Sequence, residues 1–86
     1  MGIKINPDAI YRKIVGEYYI LLPKEKTIHR LSDVASFIWE HLTDNSDEND
    51  IVNKIIEEYD VSREDAEKDM KEFIDELVEK NILIKM

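Results

Sequence analysis

The chain of 86 residues lacks cysteine and has only two glycines and two prolines. Without cysteine there is no disulfide, no thiolate metal site and no cysteine nucleophile, which is typical of a cytoplasmic protein. Gly2 and Gly16 are too far apart to build a phosphate-binding loop. No stretch approaches the roughly 18 apolar residues that span a bilayer, and the N-terminus has no apolar signal core. We therefore expect a cytoplasmic protein, not attached to a membrane, with one domain over residues 1–86.

Metal-binding and catalytic patterns are also missing. His29 and His41 are the only histidines, too few for a zinc site or a catalytic triad, and we expect both to be partly exposed. The stretch Asp44–Asp50 resembles a calcium loop, but Asn49 and Ile55 occupy the positions of its glycine and its bidentate glutamate. We expect a polar turn there. Carboxylates at helical spacing are typical of a solvated surface, so we predict no cofactor, no metal and no enzymatic activity.

Charge divides the sequence into two unequal parts. The net charge is −8, yet residues 1–31 carry six bases and three acids, whereas residues 32–86 carry six bases and seventeen acids. Over Ser62–Lys80 eight acids oppose four bases. The acidic part should repel phosphate, which disfavours a nucleic-acid partner.

The first 31 residues have the composition of β-strands. Tyr11–Val15, Glu17–Leu22 and Thr27–Leu31 are rich in Ile, Val, Tyr and Leu, and are separated by Gly16 and by a Pro23–Lys26 turn. Connections this short require antiparallel neighbours. We predict a three-stranded meander whose third strand is an edge.

From Ser32 onward the apolar period becomes that of helices. We predict helices over about Ser32–Leu42, around Ile51–Tyr59 and over about Arg63–Lys80. The fold class is therefore α+β, similar to a winged helix-turn-helix, with a three-stranded antiparallel sheet followed by three helices. We assign six residues to the core: Val34, Ile38, Trp39, Leu42, Ile55 and Ile56.

Polar residues mark the helix ends. Ser32 is expected to cap the first helix with its side-chain oxygen. Ser62 and Asp65 resemble a capping box for the third helix. Asn81 tolerates the left-handed conformation that ends a helix. The apolar tail Ile82–Met86 either pairs as a strand or packs without pairing.

An ordered set of residues runs through these elements: Leu31-Ser32, Ala35, Ile38-Trp39, Leu42, Tyr59-Asp60, Asp69-Met70, Phe73-Ile74, Leu77 and Ile82-Leu83. In their order and identity they resemble the PqqD-like family. Its members are RiPP recognition elements, which hold the leader segment of a ribosomally synthesised precursor peptide while partner enzymes modify or cleave it. The similarity covers about residues 10–84 and departs from the family pattern at Ser32, where Asn is common, and in the loop after Leu42, which lacks the usual Gly.

The resemblance implies that the leader pairs antiparallel with the third strand and lays side chains into a groove beside the third helix. Met70 and Ile74 are favoured as groove contacts, whereas Phe73 and Leu77 are at least as well explained as core. Arg30 is a candidate partner for an acidic leader residue, or else is solvated. The predicted backbone-pairing residues are Thr27, Ile28, His29, Arg30 and Leu31. The predicted groove wall is Met70, Phe73, Ile74 and Leu77.

The implied partners are a precursor leader and a maturation enzyme: a radical SAM enzyme, a cyclodehydratase or a leader peptidase. The residues do not choose among these three. Two alternatives stay open. One is a winged-helix nucleic-acid-binding or regulatory protein, and the other is a structural module whose own tail or second copy occupies the third strand's edge.

Overall fold

The computed structural model describes residues 2–44 and 46–86. It is an α+β fold in which a three-stranded antiparallel sheet precedes three helices, as predicted. Two short terminal strands form a second sheet. In chain order the elements are β1 (Ile3–Ile5), β2 (Ile10–Ile14), β3 (Glu17–Leu22), β4 (Thr27–Arg30), α1 (Asp33–Thr43), α2 (Glu48–Tyr59), α3 (Arg63–Glu79) and β5 (Leu83–Lys85).

The larger sheet has the strand order β2-β3-β4, so β4 is an edge. A two-residue turn joins β2 to β3, and its residues Val15 and Gly16 both have positive φ, 48° and 81°. This is the type I′ geometry whose twist matches that of paired strands. The predicted strand Tyr11–Val15 is shifted by one residue, because Val15 belongs to the turn.

The C-terminal tail pairs with the N-terminus. β5 lies antiparallel to β1, with Lys4 opposite Ile84. The ladder extends at both ends, through Asn6 N–H to the Ile82 carbonyl at 2.9 Å and Met86 N–H to the Gly2 carbonyl at 2.7 Å. Strand β1 was not predicted. The alternative in which the tail covers the edge of β4 is wrong, because the tail pairs with β1.

Side-chain caps start two of the helices. The Ser62 hydroxyl accepts from Asp65 N–H at 3.1 Å, as expected, and the Asp47 carboxylate accepts from Asp50 N–H at 2.9 Å. Ser32 precedes α1 in extended backbone but makes no side-chain cap, so that expectation is wrong. Asp47 begins α2 within the polar stretch predicted as a turn; Asn45 in that stretch lies outside the described residues.

Helix α3 ends in a Schellman motif. Asn81 has φ 64°, its N–H donates to the Val78 carbonyl at 3.1 Å, and Ile82 N–H donates to the Leu77 carbonyl at 2.9 Å. This pair of bonds satisfies carbonyls left over at the helix end. Asn81 therefore stops the helix as predicted, and it turns the chain into β5.

The helices cover one face of the larger sheet, and the core lies between them. Ile20 and Leu22 face this core from β3. Ile38, Trp39 and Ile55 are buried as predicted, whereas Val34, Leu42 and Ile56 are partly buried and pack against the core. The ring of Tyr11 stands edge-on to Trp39, with 5.2 Å between centroids. Across the described ranges, no helix is long and apolar enough to cross a membrane.

Candidate functional site

The edge strand β4 presents backbone groups that its neighbour does not use. Its register with β3 places His29 opposite Ile20, and Leu31 N–H donates to the Tyr18 carbonyl at 2.9 Å just beyond the strand. Directions alternate along an antiparallel ladder, so Leu31, His29 and Thr27 point their backbone groups at β3. Ile28 and Arg30 point theirs away. No other strand in the described ranges pairs with β4, which leaves two N–H donors and two carbonyl acceptors along its outer edge.

The side chains of β4 alternate between the two faces of the sheet. Thr27 and His29 are half-buried on the core face, with the His29 Nε2 atom 3.0 Å from the Thr27 hydroxyl. Ile28 and Arg30 lie on the outer face. The Arg30 guanidinium contacts the Glu17 carboxylate at 3.2 Å. Arg30, predicted to be either solvated or matched to a guest acid, therefore already has a partner within the chain.

A groove runs between β4, the start of α1 and the side of α3. It consists of two adjoining hollows of about 160 and 200 Å³ that share Ser32, Ala35, Phe73 and Glu76. His29, Arg30 and Leu31 approach it from the strand, while Leu77 and Lys80 approach from the helix. The groove is thus apolar where Ala35, Phe73 and Leu77 line it, and it opens alongside the outward backbone groups of β4.

Charge changes along the groove. At the strand end, Arg30 and Lys80 are present, and the Lys80 ammonium contacts the Glu76 carboxylate at 2.8 Å. At the α1 end, the rim carries Asp69 and Glu72, with no basic residue lining that hollow. The groove therefore carries charges of both signs at the strand end and only acidic charges at the α1 end.

Buried Ser36 holds the strand edge to the helix and was missed by sequence reasoning. Its hydroxyl accepts from Tyr18 N–H at 3.0 Å and donates to the Leu31 carbonyl at 3.2 Å. One side chain of α1 therefore fixes the start of β3 and the end of β4. The available signal was a serine on the same apolar helix face as Trp39 and Phe37.

The predicted groove residues on α3 divide into two pairs. Met70 has an exposed fraction of 0% and lies inside the core. Ile74 is half-buried on another side of the helix, beside Ile3 and Lys85. The groove side is formed by Phe73 and Leu77, which are nearly buried but reach its floor. Neither of the two preferred contacts lines the groove, because Met70 is enclosed by the core and Ile74 lies beside the terminal strands.

A second strand edge needs consideration. By the same alternation, β1 turns the backbone groups of Ile3 and Ile5 away from β5. A hollow of about 330 Å³ lies beside it, between the two terminal strands and the end of α1. Volume alone therefore does not select the functional edge.

Shifted pKa values lie away from the groove. Burial raises the pKa of Tyr18 and of Tyr59, and the hydrogen bond to Glu40 raises the pKa of Lys13. None of these side chains lines the groove. What the groove offers is backbone hydrogen bonding, an apolar floor and charged rims.

A three-stranded sheet with an open edge beside a helix defines an α+β protein of the kind that can bind an extended chain. The family described as Coenzyme PQQ synthesis protein D (PqqD) matches residues 17–83. No protein with curated annotation matches the chain. The chain belongs to the PqqD family, so the predicted family is confirmed.

Two solved structures are similar over nearly the whole chain. TbiB1 in complex with the TbiA(beta) leader peptide is 31% identical over 94% of each chain, with a TM-score of 0.90. Lasso peptide synthetase B1 complexed with the leader peptide is 23% identical over 98% of this chain and 99% of that one, also with a TM-score of 0.90. The second likeness shows the fold alone. Neither supports the nucleic-acid alternative, and the winged-helix similarity is not confirmed.

Proposed function

We propose that this protein binds the leader segment of a ribosomally synthesised precursor peptide as an added strand on β4 and presents it to a maturation enzyme. One observation carries the proposal: Ile28 and Arg30 direct four backbone groups outward beside an apolar groove, while the chain's own tail is paired elsewhere. The leader-bound state of the similar TbiB1 structure supports it. On this proposal the protein acts in the cytoplasm as a single binding domain and not as an enzyme.

The choice of β4 over β1 rests on the family match. Residues 17–83 include β3, β4 and all of α3, whereas β1 lies outside them. The β4 edge also faces a helix whose apolar side chains Phe73 and Leu77 can select among guests. Pairing alone would accept almost any extended peptide.

Magnitudes show that both parts of the site are needed. Four backbone hydrogen bonds at about 1 kcal/mol each correspond at best to millimolar binding. Burying one leucine-sized guest side chain in the groove adds roughly 1.5 to 3 kcal/mol. Two such side chains would bring the affinity toward the micromolar range before the cost of ordering the guest. We therefore expect a guest with two apolar residues on the side that faces Phe73 and Leu77.

The electrostatics refine the guest further. Asp69 and Glu72 line the acidic end of the groove, so a guest with a basic side chain there would be favoured. The maturation enzyme that receives the guest belongs to one of three classes: a radical SAM enzyme, a cyclodehydratase or a leader peptidase.

The register provides a sharp test with a matched pair of variants. Ile28→Pro removes an N–H that points away from β3, whereas His29→Pro removes an N–H that pairs with Ile20. We expect Ile28→Pro to stay folded but to bind the precursor's leader peptide at least 10-fold more weakly than the wild type. We expect His29→Pro to unfold, at a cost of about 3 kcal/mol or more. Circular dichroism melts and fluorescence anisotropy with the labelled leader measure the two effects.

Backbone amide NMR locates the guest directly. On titration with the leader peptide, the amides of Ile28 and Arg30 should shift and become protected from exchange, while those of Thr27 and His29 should be protected before the peptide is added. Shifts concentrated at Ile3 and Ile5 would move the site to β1. No shift at any strand edge, that of β2 included, would contradict peptide binding by strand addition.

A further inference from the structure

Three exposed apolar side chains, those of Ile10, Ile14 and Ile28, lie on the outer face of the larger sheet, and a fourth, that of Val15, is at the tip of its first hairpin. Ile10, Val15 and Ile28 are 57%, 96% and 71% exposed, and Ile14 is 46% exposed. Register places Ile10, Leu21 and Ile28 in one row across the three strands, on the side away from buried Ile20. None of the helices in the described part of the chain covers this row. Contiguous exposed apolar surface of this kind marks an interaction site more often than a solvated face.

The backbone conformation and the exposure of Val15, at the hairpin tip, do not favour folding, so stability alone does not explain this surface. Val15 has φ 48°, a conformation that β-branched residues rarely adopt and that asparagine or glycine adopts readily. It is also the most exposed large apolar residue of the described chain. Because Val15 is strained and not buried, it contributes little to folding. Backbone strain of this kind is found where a residue makes a functional contact.

Charge indicates which partner fits. Arg12, Tyr19 and Arg30 form a second row on the same face, and Glu17 beside them is already bonded to Arg30. Arg12 makes no ion pair with the described residues. The face is therefore apolar and basic on a protein whose net charge is −8. Two such faces packed together would bring like charges into contact, which disfavours a second copy facing the first.

We propose that this face docks the enzyme that acts on the bound peptide, through an enzyme surface with an apolar centre and carboxylates that meet Arg12. The proposal rests on the proposed function, because Ile28 belongs to both surfaces: its backbone faces the guest edge, and its side chain lies on the outer face. An enzyme docked here lies next to the peptide that it must receive.

Variants of the full chain separate docking from peptide binding. Val15→Asn relieves the strained turn and removes the exposed apolar tip, and Arg12→Glu reverses the free charge. Ile10→Thr is a second apolar change within a strand. Met86→Asn is the matched control, since Met86 is 76% exposed and lies off the face. Each is tested against the labelled leader peptide by anisotropy and against the purified maturation enzyme of the same gene cluster by biolayer interferometry.

We expect Val15→Asn to raise the melting temperature by about 4 to 8 °C, as removal of a modest strain does in a small domain. It should leave the leader Kd within about twofold and weaken enzyme binding at least tenfold, a loss of about 1.4 kcal/mol. Arg12→Glu and Ile10→Thr should weaken enzyme binding in the same way, and Met86→Asn should change neither measurement.

Several outcomes would overturn the docking surface while leaving peptide binding intact. These are wild-type-like enzyme binding by Val15→Asn, Arg12→Glu and Ile10→Thr, no enzyme binding by the wild type, or a wild-type dimer in sedimentation that Val15→Asn dissociates. A melting temperature lowered by Val15→Asn would refute the strain argument on which it depends. If the wild-type protein does not bind the leader peptide, the proposed function itself is refuted.

Discussion

The two sheets of this protein use their strands in different ways. In the terminal sheet, β5 and β1 join the ends of the chain, and Leu83 is buried in the shared core. In the larger sheet, β4 places Thr27 and His29 toward the core but leaves Ile28 exposed and one edge unpaired. Both sheets keep unpaired backbone groups at an edge, but only the edge of β4 lies beside the groove lined by Phe73 and Leu77. Strand addition requires unpaired backbone N–H and carbonyl groups next to a groove that can take the side chains of the guest.

The largest expected difference between the sheets is in stability. Leu83→Ala removes a side chain that is 1% exposed, and we expect the free energy of unfolding to fall by about 2 to 5 kcal/mol. Ile28→Ala, on the open edge strand, should change it by no more than about 0.5 kcal/mol. Urea denaturation of both variants measures this. Equal losses would mean that β4 depends on its outward side chains as much as β5 depends on its buried ones.

The next largest effect concerns Ser36, whose hydroxyl links α1 to the start of β3 and the end of β4 in the larger sheet. Ser36→Ala deletes a buried hydroxyl and leaves Tyr18 N–H and the Leu31 carbonyl without that partner. We expect a loss of about 1 to 3 kcal/mol in the free energy of unfolding, because buried groups lose a hydrogen bond. Faster exchange of the Tyr18 amide should accompany it. Ser36→Thr, which retains the hydroxyl, is the control for the polar contact. An unchanged exchange rate of the Tyr18 amide in Ser36→Ala would contradict the stabilising role of the Ser36 hydroxyl.

A smaller effect is expected where α3 turns into the terminal sheet. Asn81 has φ 64°, so Asn81→Ala should cost about 1 kcal/mol and Asn81→Gly less, since glycine adopts this conformation without a steric penalty. Thermal melts compare the two substitutions. Leader binding should be unaffected by either, because this turn belongs to the sheet that the guest does not use. A glycine variant less stable than the alanine variant would contradict the conformational explanation.

The smallest effect is the pH dependence of stability. Burial raises the pKa of Tyr18, and likewise of Tyr59, above the ordinary value of 10.0. The folded state therefore favours the neutral phenols, so their contribution is fully present below about pH 10 and is lost as the pH rises through the folded pKa. Lys13, whose pKa is raised by Glu40, acts in the same direction, but solvent screens it.

Replacing both tyrosines tests this sign. The variant Tyr18→Phe with Tyr59→Phe should lose stability less steeply than the wild type between pH 9 and pH 11, a range chosen around the ordinary tyrosine pKa. Denaturant midpoints measured across that range provide the slope. A steeper decline in the double variant would contradict the stated direction of the shifts.

Local patterns predicted most of the fold. The β-rich composition of Thr27–Leu31, the helical stripes and the caps at Ser62 and Asn81 depend on local sequence, so they can be inferred without the structure. Strand β1 escaped notice because a three-residue strand has too few positions to show a period. Ser32 failed as a side-chain cap although its residue type and position fit the rule.

The candidate site was only partly predictable. The edge strand followed from the meander, and its outward groups at Ile28 and Arg30 follow from a register that only pairing fixes. The choice between Met70 and Phe73 depends on how α3 packs against the sheet, both in its rotation and in its position along the helix axis. Residues three apart both lie on the apolar stripe, and the stripe is wide enough to face the core and the groove together.

The sequence by itself determined the order of the strands and helices, the absence of cysteine chemistry and the family, because these depend on composition and on short-range spacing. The tertiary structure decided which backbone groups of β4 face outward, which helical side chains reach the groove, and that the tail pairs with the N-terminus. The physical reason is that these features are contacts between residues far apart in the chain, such as Lys4 and Ile84, and no local periodicity records them.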